Sequence, residues 1–250
     1  MVNGLYSAGI GMMLQVRKQE LTANNIANVQ TTGFKLTRLT THDTVESRRD
    51  VDQYMRSRET QRIDEVATDW RPGPLVRTGN NLDVAVRGDG FLVAQTPEGE
   101  RYFRSGSLQL NADRDLVDLS GARILDEAGN PVHIPGAKAV LTAEGKVLSD
   151  GEEVAKLRLV DFPKPYALQH DGAGKYRTFE TTPGAGLPQA LEASPNVSLE
   201  TGFLEGSNTN PVENMVQMIA QFRNYEADSR VVQAVDSTLD KAVNAVGRVG

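Results

Sequence analysis

The sequence of 250 residues has no cysteine and no long apolar run, and it has few aromatic residues. Without cysteine, disulfide scaffolds, thiolate zinc sites and cysteine nucleophiles are excluded. A transmembrane helix needs about 18 or more consecutive apolar residues, so we expect no membrane span. No charged side chain precedes Arg17, and no continuous apolar segment follows, so we expect no cleaved secretory signal. A net charge of −6 argues against a nucleic-acid partner.

Residue constellations for catalysis are also missing. The three histidines are His42, His133 and His170, and none has a second histidine at helical metal-ligand spacing. The pair Gly174-Lys175 lacks the first glycine and the hydroxyl residue of a phosphate-binding loop. We therefore expect no catalytic residue, no metal site and no cofactor.

The N-terminal segment has the periodicity of an amphipathic helix. Apolar or small side chains recur in steps of three, four and seven. They are Leu5, Ala8, Met12, Val16, Ala23 and Ile26. Since Asn28 tolerates a left-handed backbone and Gly33 follows closely, we expect the helix to end near Asn28.

The C-terminal segment predicts a longer helix that begins near Pro211. Asn210 offers a capping side chain, and no proline or glycine follows Pro211 until Gly247. Apolar side chains recur mostly in alternating steps of three and four, which is typical of a coiled-coil seam. They are Met215, Met218, Phe222, Tyr225, Val232, Val235, Leu239, Ala242 and Val246.

The middle of the chain has the pattern of short strands. Leu82, Val84 and Val86 alternate with other residues, and further apolar runs follow as far as Phe162, separated by turn residues. We predict a mixed α and β fold with an antiparallel β domain of sandwich or irregular barrel type. The expected segments are a helix and turn motif (1–35), an extended charged linker (36–71), the β domain (72–200) and a C-terminal core helix (201–250).

Segments at both ends carry a family resemblance. The stretch from Thr22 to Lys35, TANNIANVQTTGFK, resembles the N-terminal signature of bacterial flagellar rod and hook proteins. The stretch GFLEGSN at 202–208, with the helix after it, is similar to the C-terminal signature of the same family. The middle agrees at NLDVAV, residues 81–86.

The resemblance implies a structural subunit of the flagellar basal-body rod that transmits torque for motility. It implies that the terminal helices form coiled coils in the inner core of an axial tube, outside which the β domain lies. It implies as partners other copies of the chain, neighbouring rod proteins and the flagellar type III export apparatus, and as location the periplasmic rod. The short spacing between Lys35 and Leu82 favours a proximal rod type over a distal one, which stays the alternative.

The expected assembly interface comes from both signatures and both helical stripes. It comprises Leu5, Met12, Val16, Asn24, Asn25, Ile26, Asn28, Gly33, Phe34, Asn208, Met215, Met218, Ile219, Phe222, Tyr225, Val232 and Leu239. We expect Asn24, Asn25 and Asn28 to form hydrogen bonds across subunits or to cap the turn that follows the helix.

Three alternatives stay open from the residues alone. The two helices could pair within one monomer. The chain could be a cell-wall hydrolase, although no residue constellation for one is present. It could also be a coiled-coil adaptor outside the flagellum, which explains the termini but not the whole signature.

Overall fold

The computed structural model describes residues 2–43, 61–136, 138–180, 186–193 and 197–246. Within these ranges there are two α-helices, α1 (Val2–Ala27) and α2 (Pro211–Val246). The strands are β1 (Thr37–Asp43), β2 (Gln61–Thr68), β3 (Leu75–Arg77), β4 (Asp83–Arg87), β5 (Phe91–Thr96), β6 (Gly99–Phe103), β7 (Ser105–Leu110), β8 (Leu116–Asp118), β9 (Arg123–Ile124), β10 (Ala139–Leu141), β11 (Lys146–Ser149), β12 (Glu152–Lys156), β13 (Leu159–Asp161), β14 (Leu168–His170), β15 (Lys175–Thr178), β16 (Leu191–Glu192), β17 (Ser198–Thr201) and β18 (Phe203–Glu205).

Both helices begin or end where the local sequence predicts. The Asn210 side-chain oxygen accepts hydrogen bonds from the backbone N–H groups of Val212 (3.1 Å) and Glu213 (3.4 Å), which caps α2 ahead of its first residue, Pro211. Helix α1 ends at Ala27, and the Asn28 side chain donates to the carbonyl of Asn24 at 2.9 Å. The predicted helix ends are confirmed.

The chain divides into two compact units. The helical unit consists of Met1–Asn28, Leu36–Trp70 and Thr209–Gly250, and the β unit consists of Val29–Lys35 and Arg71–Asn208. The β unit therefore includes the turn after α1 and the segment before α2, which the sequence assigned to the terminal segments.

The helical unit contains a hairpin where the sequence predicted an extended linker. Strands β1 and β2 pair antiparallel from Thr37 opposite Thr68 to Asp43 opposite Gln61, with one register shift after Thr40. The β-branched residues in both segments explain the pairing, because they favour the extended backbone despite the neighbouring charges. Residues 44–60 of the predicted linker lie outside the described residues.

The β unit is built on one branched antiparallel sheet. Its strands follow the order β14-β15-β6-β5-β9-β8-β7-β4-β17, with β13 joining β5 to β16. Strands β10, β11 and β12 form a second sheet, and β18 pairs with β3. The apolar core includes Val84, Leu92, Leu116, Ile124 and Leu157, all almost fully buried.

Strand β4 departs from the predicted alternation of buried and exposed residues. Asp83 is buried as well as its apolar neighbours. Its carboxylate accepts hydrogen bonds from the Ser107 hydroxyl (2.6 Å) and the Asn80 side-chain amide (2.8 Å), which compensate its loss of water.

The predicted mixed α and β class, with terminal helices and a β-rich middle, is confirmed. The coiled-coil pairing and the sandwich or barrel layering stay predictions.

Candidate assembly site

Helices α1 and α2 pack against each other in the helical unit. The Gln221 side chain donates to the Thr22 hydroxyl at 3.0 Å. Asp228 packs closely against Gly11, since a Cβ added to Gly11 would lie 2.9 Å from the Asp228 carboxylate. Residues further along α2 thus meet residues earlier in α1, so the helices run in opposite directions. The intramolecular pairing left open by the sequence is present.

Buried and half-buried side chains of α2 lie on one row with the spacing of a heptad. The row comprises Asn214, Met218, Gln221, Tyr225, Asp228, Val232 and Val235, at alternating steps of four and three. Of the predicted seam, Met218, Tyr225, Val232 and Val235 belong to this row, which Leu239 continues by a step of four although it is 37% exposed. Met215 and Phe222 lie on an exposed face. The predicted seam therefore combines two faces of the helix.

The exposed face of α2 is strongly apolar over its first three turns. Val212, Met215, Val216, Ile219 and Phe222 expose between 52% and 68% of their surface. Five large apolar residues on consecutive turns exceed the scattered apolar residues of an ordinary surface. This stripe has no covering element among the described residues of the helical unit.

Helix α1 contributes the other wall of an open groove. The groove is lined by Val16 and Ala23 of α1 and by Met218, Ile219 and Phe222 of α2. Charged and polar side chains border it: Gln19, Glu20, Arg223 and Glu226. A continuation toward the start of α1 is lined by Gly9, Met12, Met13, Val16, Arg17, Glu20 and Tyr225. We call the two together the apolar groove.

The predicted stripe of α1 is rotated relative to the face that is buried. Ala8 and Leu14 are buried, whereas Leu5 and Val16 are exposed by 37% and 42% and Ala23 is exposed too. Met12 and Ile26 are half-buried. Half of the predicted stripe, Leu5, Val16 and Ala23, is thus left exposed, as a contact with another molecule would require.

Asn25 is held within the chain. It is 3% exposed, its side-chain amide donates to the Thr37 carbonyl at 2.8 Å, and its side-chain oxygen accepts from the Thr37 N–H at 3.0 Å. The side chain therefore pairs with β1 as a neighbouring strand would. Asn24 is exposed at the end of α1, and Asn28 caps that end.

Two predicted interface residues, Gly33 and Phe34, are buried inside the β unit, and a third, Asn208, is half-buried there. Phe34 is 3% exposed and stacks on the His170 ring, with 4.6 Å between ring centroids. Gly33 has a φ of +70° and donates its N–H to the Glu205 carbonyl at 2.8 Å. Asn208 donates to the Arg71 carbonyl at 3.0 Å. Gly33 and Phe34 are therefore buried within the single chain, and the contribution of Asn208 to an assembly surface stays a prediction.

The sequence analysis missed a buried charged cluster in the same region. Lys35 is completely buried, and its ammonium lies 2.5 Å from a carboxylate oxygen of Glu205, which is 1% exposed. The second oxygen of Glu205 lies 3.4 Å from the Nε atom of Arg104. Lys35 and Glu205 belong to the quoted family signatures, and their opposite charges in these segments were the available indication of an ion pair.

His170 and Tyr176 complete the pocket that receives Phe34. The His170 Nε2–H donates to the Lys35 carbonyl at 2.9 Å, and the Tyr176 hydroxyl donates to the Gly33 carbonyl at 2.9 Å. Burial lowers the pKa of His170 below its usual value, against the opposing effect of this hydrogen bond. Burial also raises the pKa of the Tyr176 phenol. Both rings are therefore neutral at pH 7.

Among the described residues, no group of three or more histidine and carboxylate side chains is arranged to hold a metal ion. Neither α1 nor α2, as described, is long and apolar enough to cross a membrane.

An uncovered apolar face on paired terminal helices is typical of subunits that assemble. Three family models match the chain: "Flagella basal body rod protein" over residues 5–35, "Flagellar hook protein FlgE/F/G D1 domain" over 85–152 and "Flagellar basal body rod FlgEFG protein C-terminal" over 200–245. The matched segments contain both signatures and the start of the β unit.

Full-length relatives agree with the family models. The flagellar basal-body rod protein FlgF of Caulobacter vibrioides is 31% identical, with 100% of this chain and 99% of the relative covered. That of Escherichia coli is 31% identical over 97% of each chain. The flagellar basal-body rod protein FlgG of Bacillus subtilis is 27% identical over 98% of this chain and 99% of the relative. The chain belongs to the flagellar basal-body rod and hook protein family, as a structural rod subunit.

Proposed function

We propose that this chain builds the flagellar rod through its helical unit, with the apolar groove as the contact to neighbouring subunits. The observation that supports this most is the exposed stripe of Met215, Ile219 and Phe222 beside the exposed Val16 of α1. Contact with helices of other copies and of neighbouring rod proteins would cover both faces and transmit torque from one subunit to the next.

The size of the groove explains why single contacts are weak and assemblies stable. Burying a large apolar side chain completely contributes about 1.5–3 kcal/mol. The five residues of the exposed α2 stripe are each about half-buried in the single chain, so covering them contributes roughly 4–8 kcal/mol in total. Association costs about 4–15 kcal/mol in lost freedom of motion. One groove therefore roughly balances that cost, whereas a subunit that contacts several neighbours at once is held firmly.

The charged side chains that border the groove favour one alignment of neighbouring helices. Arg17 and Glu20 form an exposed ion pair at 2.8 Å, and Arg223 and Glu226 lie on the opposite wall. Exposed ion pairs add little affinity, but charges of both signs favour one alignment of two helices over shifted ones. In our proposal the border sets the register between neighbours and the apolar stripe supplies the affinity.

The finer features of the proposal follow from the family resemblance. We place the helices in coiled-coil contact in the inner core of the rod and the β unit, as a sandwich or irregular barrel, outside them. The similarity to relatives named FlgF supports the proximal type, with the distal type, named FlgG, as the alternative. Export by the type III apparatus without a cleaved signal, a periplasmic position and a role without catalysis belong to the same proposal.

Replacement of Val16 tests the proposal in cells. Val16 lines both parts of the groove and is 42% exposed, so Val16→Asp puts a charge in the contact without disturbing a buried core. In cells that lack the natural copy, we expect normal amounts of the variant but no swimming in soft agar and no variant in isolated basal bodies.

The matched control is Ser7→Asp, which adds the same charge at an exposed position of α1 that does not line the groove. We expect this variant to restore swimming. Normal swimming with Val16→Asp would contradict the proposal.

A further inference from the structure

The turn after α1 reaches the core of the β unit through two charged residues that are far apart in the sequence. Lys35 and Glu205 are separated by 170 positions, and their side chains are 0% and 1% exposed. The Lys35 ammonium also donates to the Arg71 carbonyl at 3.0 Å. The first and last segments of the β unit thus meet at one buried ion pair.

Glu205 collects contacts from several segments. The carboxylate oxygen of Glu205 that binds Lys35 also accepts a hydrogen bond from the Gly73 N–H at 2.8 Å. The backbone N–H of Glu205 donates to the Ser105 hydroxyl at 2.7 Å. Its backbone carbonyl accepts the Gly33 N–H. Removal of the carboxylate charge would therefore weaken its contacts with Lys35, Gly73 and Arg104, whereas the two backbone contacts do not depend on that charge.

Arg104 connects the same carboxylate to a hairpin turn. Its guanidinium donates to the carbonyls of Val86 (3.1 Å), Gly88 (2.7 Å) and Gly90 (2.9 Å), on both sides of the turn between β4 and β5. Three carbonyls can stabilise this cation when Glu205 is neutral, and the Lys35 ammonium lies closer to the Glu205 carboxylate (2.5 Å) than the Arg104 Nε atom does (3.4 Å). The energetic dependence is thus strongest between Lys35 and Glu205.

We propose that Lys35 and Glu205 form a latch that holds the turn of residues 31–35 in the β unit and closes only when the last strand, β18, is in place. A buried charge that loses its partner is strongly destabilising, because it has neither water nor a counter-charge. Each partner therefore keeps the other segment from docking alone. The latch makes docking of the N-terminal signature depend on the C-terminal one, which no local pattern would require.

The latch predicts a pattern that simple packing does not. Lys35→Met leaves the buried Glu205 carboxylate with Arg104 as its nearest cation, at 3.4 Å, and Glu205→Gln takes the counter-charge from both Lys35 and Arg104. We expect each single variant to open the turn. The double variant removes both charges while it nearly keeps the side-chain volumes, so the turn docks again. Breaking a buried pair costs about 3–5 kcal/mol, which corresponds to a population of open turn that is on the order of 100- to 5,000-fold larger.

Hydrogen exchange of the full-length chain tests the latch, with the amide of Gly33 as the reporter. We expect this amide to exchange on the order of 100-fold faster or more in each single variant, and at least tenfold slower in the double variant than in either single one. As the control, Lys156→Met removes an exposed ion pair with Glu127 in the same unit and should leave exchange at Gly33 unchanged.

Folding of the variants gives a second criterion. If the single variants fail to fold while the double variant folds, the dependence on paired charges is supported. The proposal is overturned if the double variant exchanges as fast as the single ones or fails to fold with them. It is also overturned if the single variants protect Gly33 as well as the natural chain does.

Discussion

Phe222 offers the most quantitative test of the apolar groove. Its side chain is 54% exposed in the single chain. A phenylalanine buries about 150–250 Å² in a full contact, so roughly half of this area is available to a partner. At about 25 cal/mol/Å², its burial contributes roughly 2–3 kcal/mol. We therefore expect Phe222→Ala to weaken self-association roughly 30- to 150-fold.

Aspartate at the same position should have a larger effect. Phe222→Asp removes the same apolar area and would also bury a carboxylate without a designed partner, so we expect association to be abolished. The fold of the single chain should change little, within about 0.5 kcal/mol, because the side chain is exposed before association. Sedimentation equilibrium and light scattering over a range of concentrations measure association, and urea unfolding measures stability.

Asn224→Asp is the matched control, since Asn224 is exposed on the same turn of α2 and does not line the groove. It should associate as the natural chain does. Equal association of Phe222→Asp and Asn224→Asp would refute the argument from the exposed stripe. A wholly unfolded Phe222→Asp chain would instead show that the residue stabilises the single subunit.

Three further predictions concern stability. Asn25→Leu should lower the free energy of unfolding of the helical unit by about 2–4 kcal/mol, measured by thermal unfolding, because the buried Thr37 N–H and carbonyl lose their partners. Gly73→Ala should cost about 1–3 kcal/mol in urea unfolding, because the new Cβ would lie 2.0 Å from the Gly206 carbonyl oxygen. Burial lowers the pKa of His170 in the folded chain, so the unfolded chain binds a proton at His170 more readily. The stability that His170 contributes is therefore complete above pH ~6.5 and falls as the pH decreases below that value. Urea unfolding at pH 7.5 and 5.0 should show a larger loss in the natural chain than in His170→Gln.

The first two of these predictions each have a control at a matched residue. Asn24→Leu changes an exposed asparagine next to Asn25 and should leave the melting temperature nearly unchanged. Gly106→Ala would meet only ordinary contacts at 3.5 Å and should be tolerated. For His170, an equal loss of stability in the natural chain and in His170→Gln would contradict the prediction. A control that behaves like its test variant would contradict the corresponding prediction.

The helices could be predicted because their determinants are local. The cap at Asn210, the first-turn Pro211 and the absence of breakers afterwards define α2, and the same holds for the end of α1 at Ala27. The face that each helix buries could not be predicted from the apolar stripe. The apolar stripe of α2 is wider than the face that packs against α1. Met218 is therefore half-buried, while Phe222 remains exposed.

Helical periodicity predicted some of the residues that line the groove. It could not predict which residues are buried by long-range contacts. Val16, Ile219 and Phe222 were expected at an interface and line the groove. Gly33 and Phe34 were expected there as well, but they are buried by segments more than 100 positions away, which a local pattern does not reveal.

The most direct measurement of the central claim is the accessibility of the groove before and after assembly. The chain has no cysteine, so Ile219→Cys introduces a unique thiol at a position that is 57% exposed in the single chain. We predict rapid reaction of this thiol with a polar maleimide in the purified subunit, and protection in isolated basal bodies that is lost when they are dissociated in denaturant. Equal reactivity in the subunit and in the assembled rod would contradict the account.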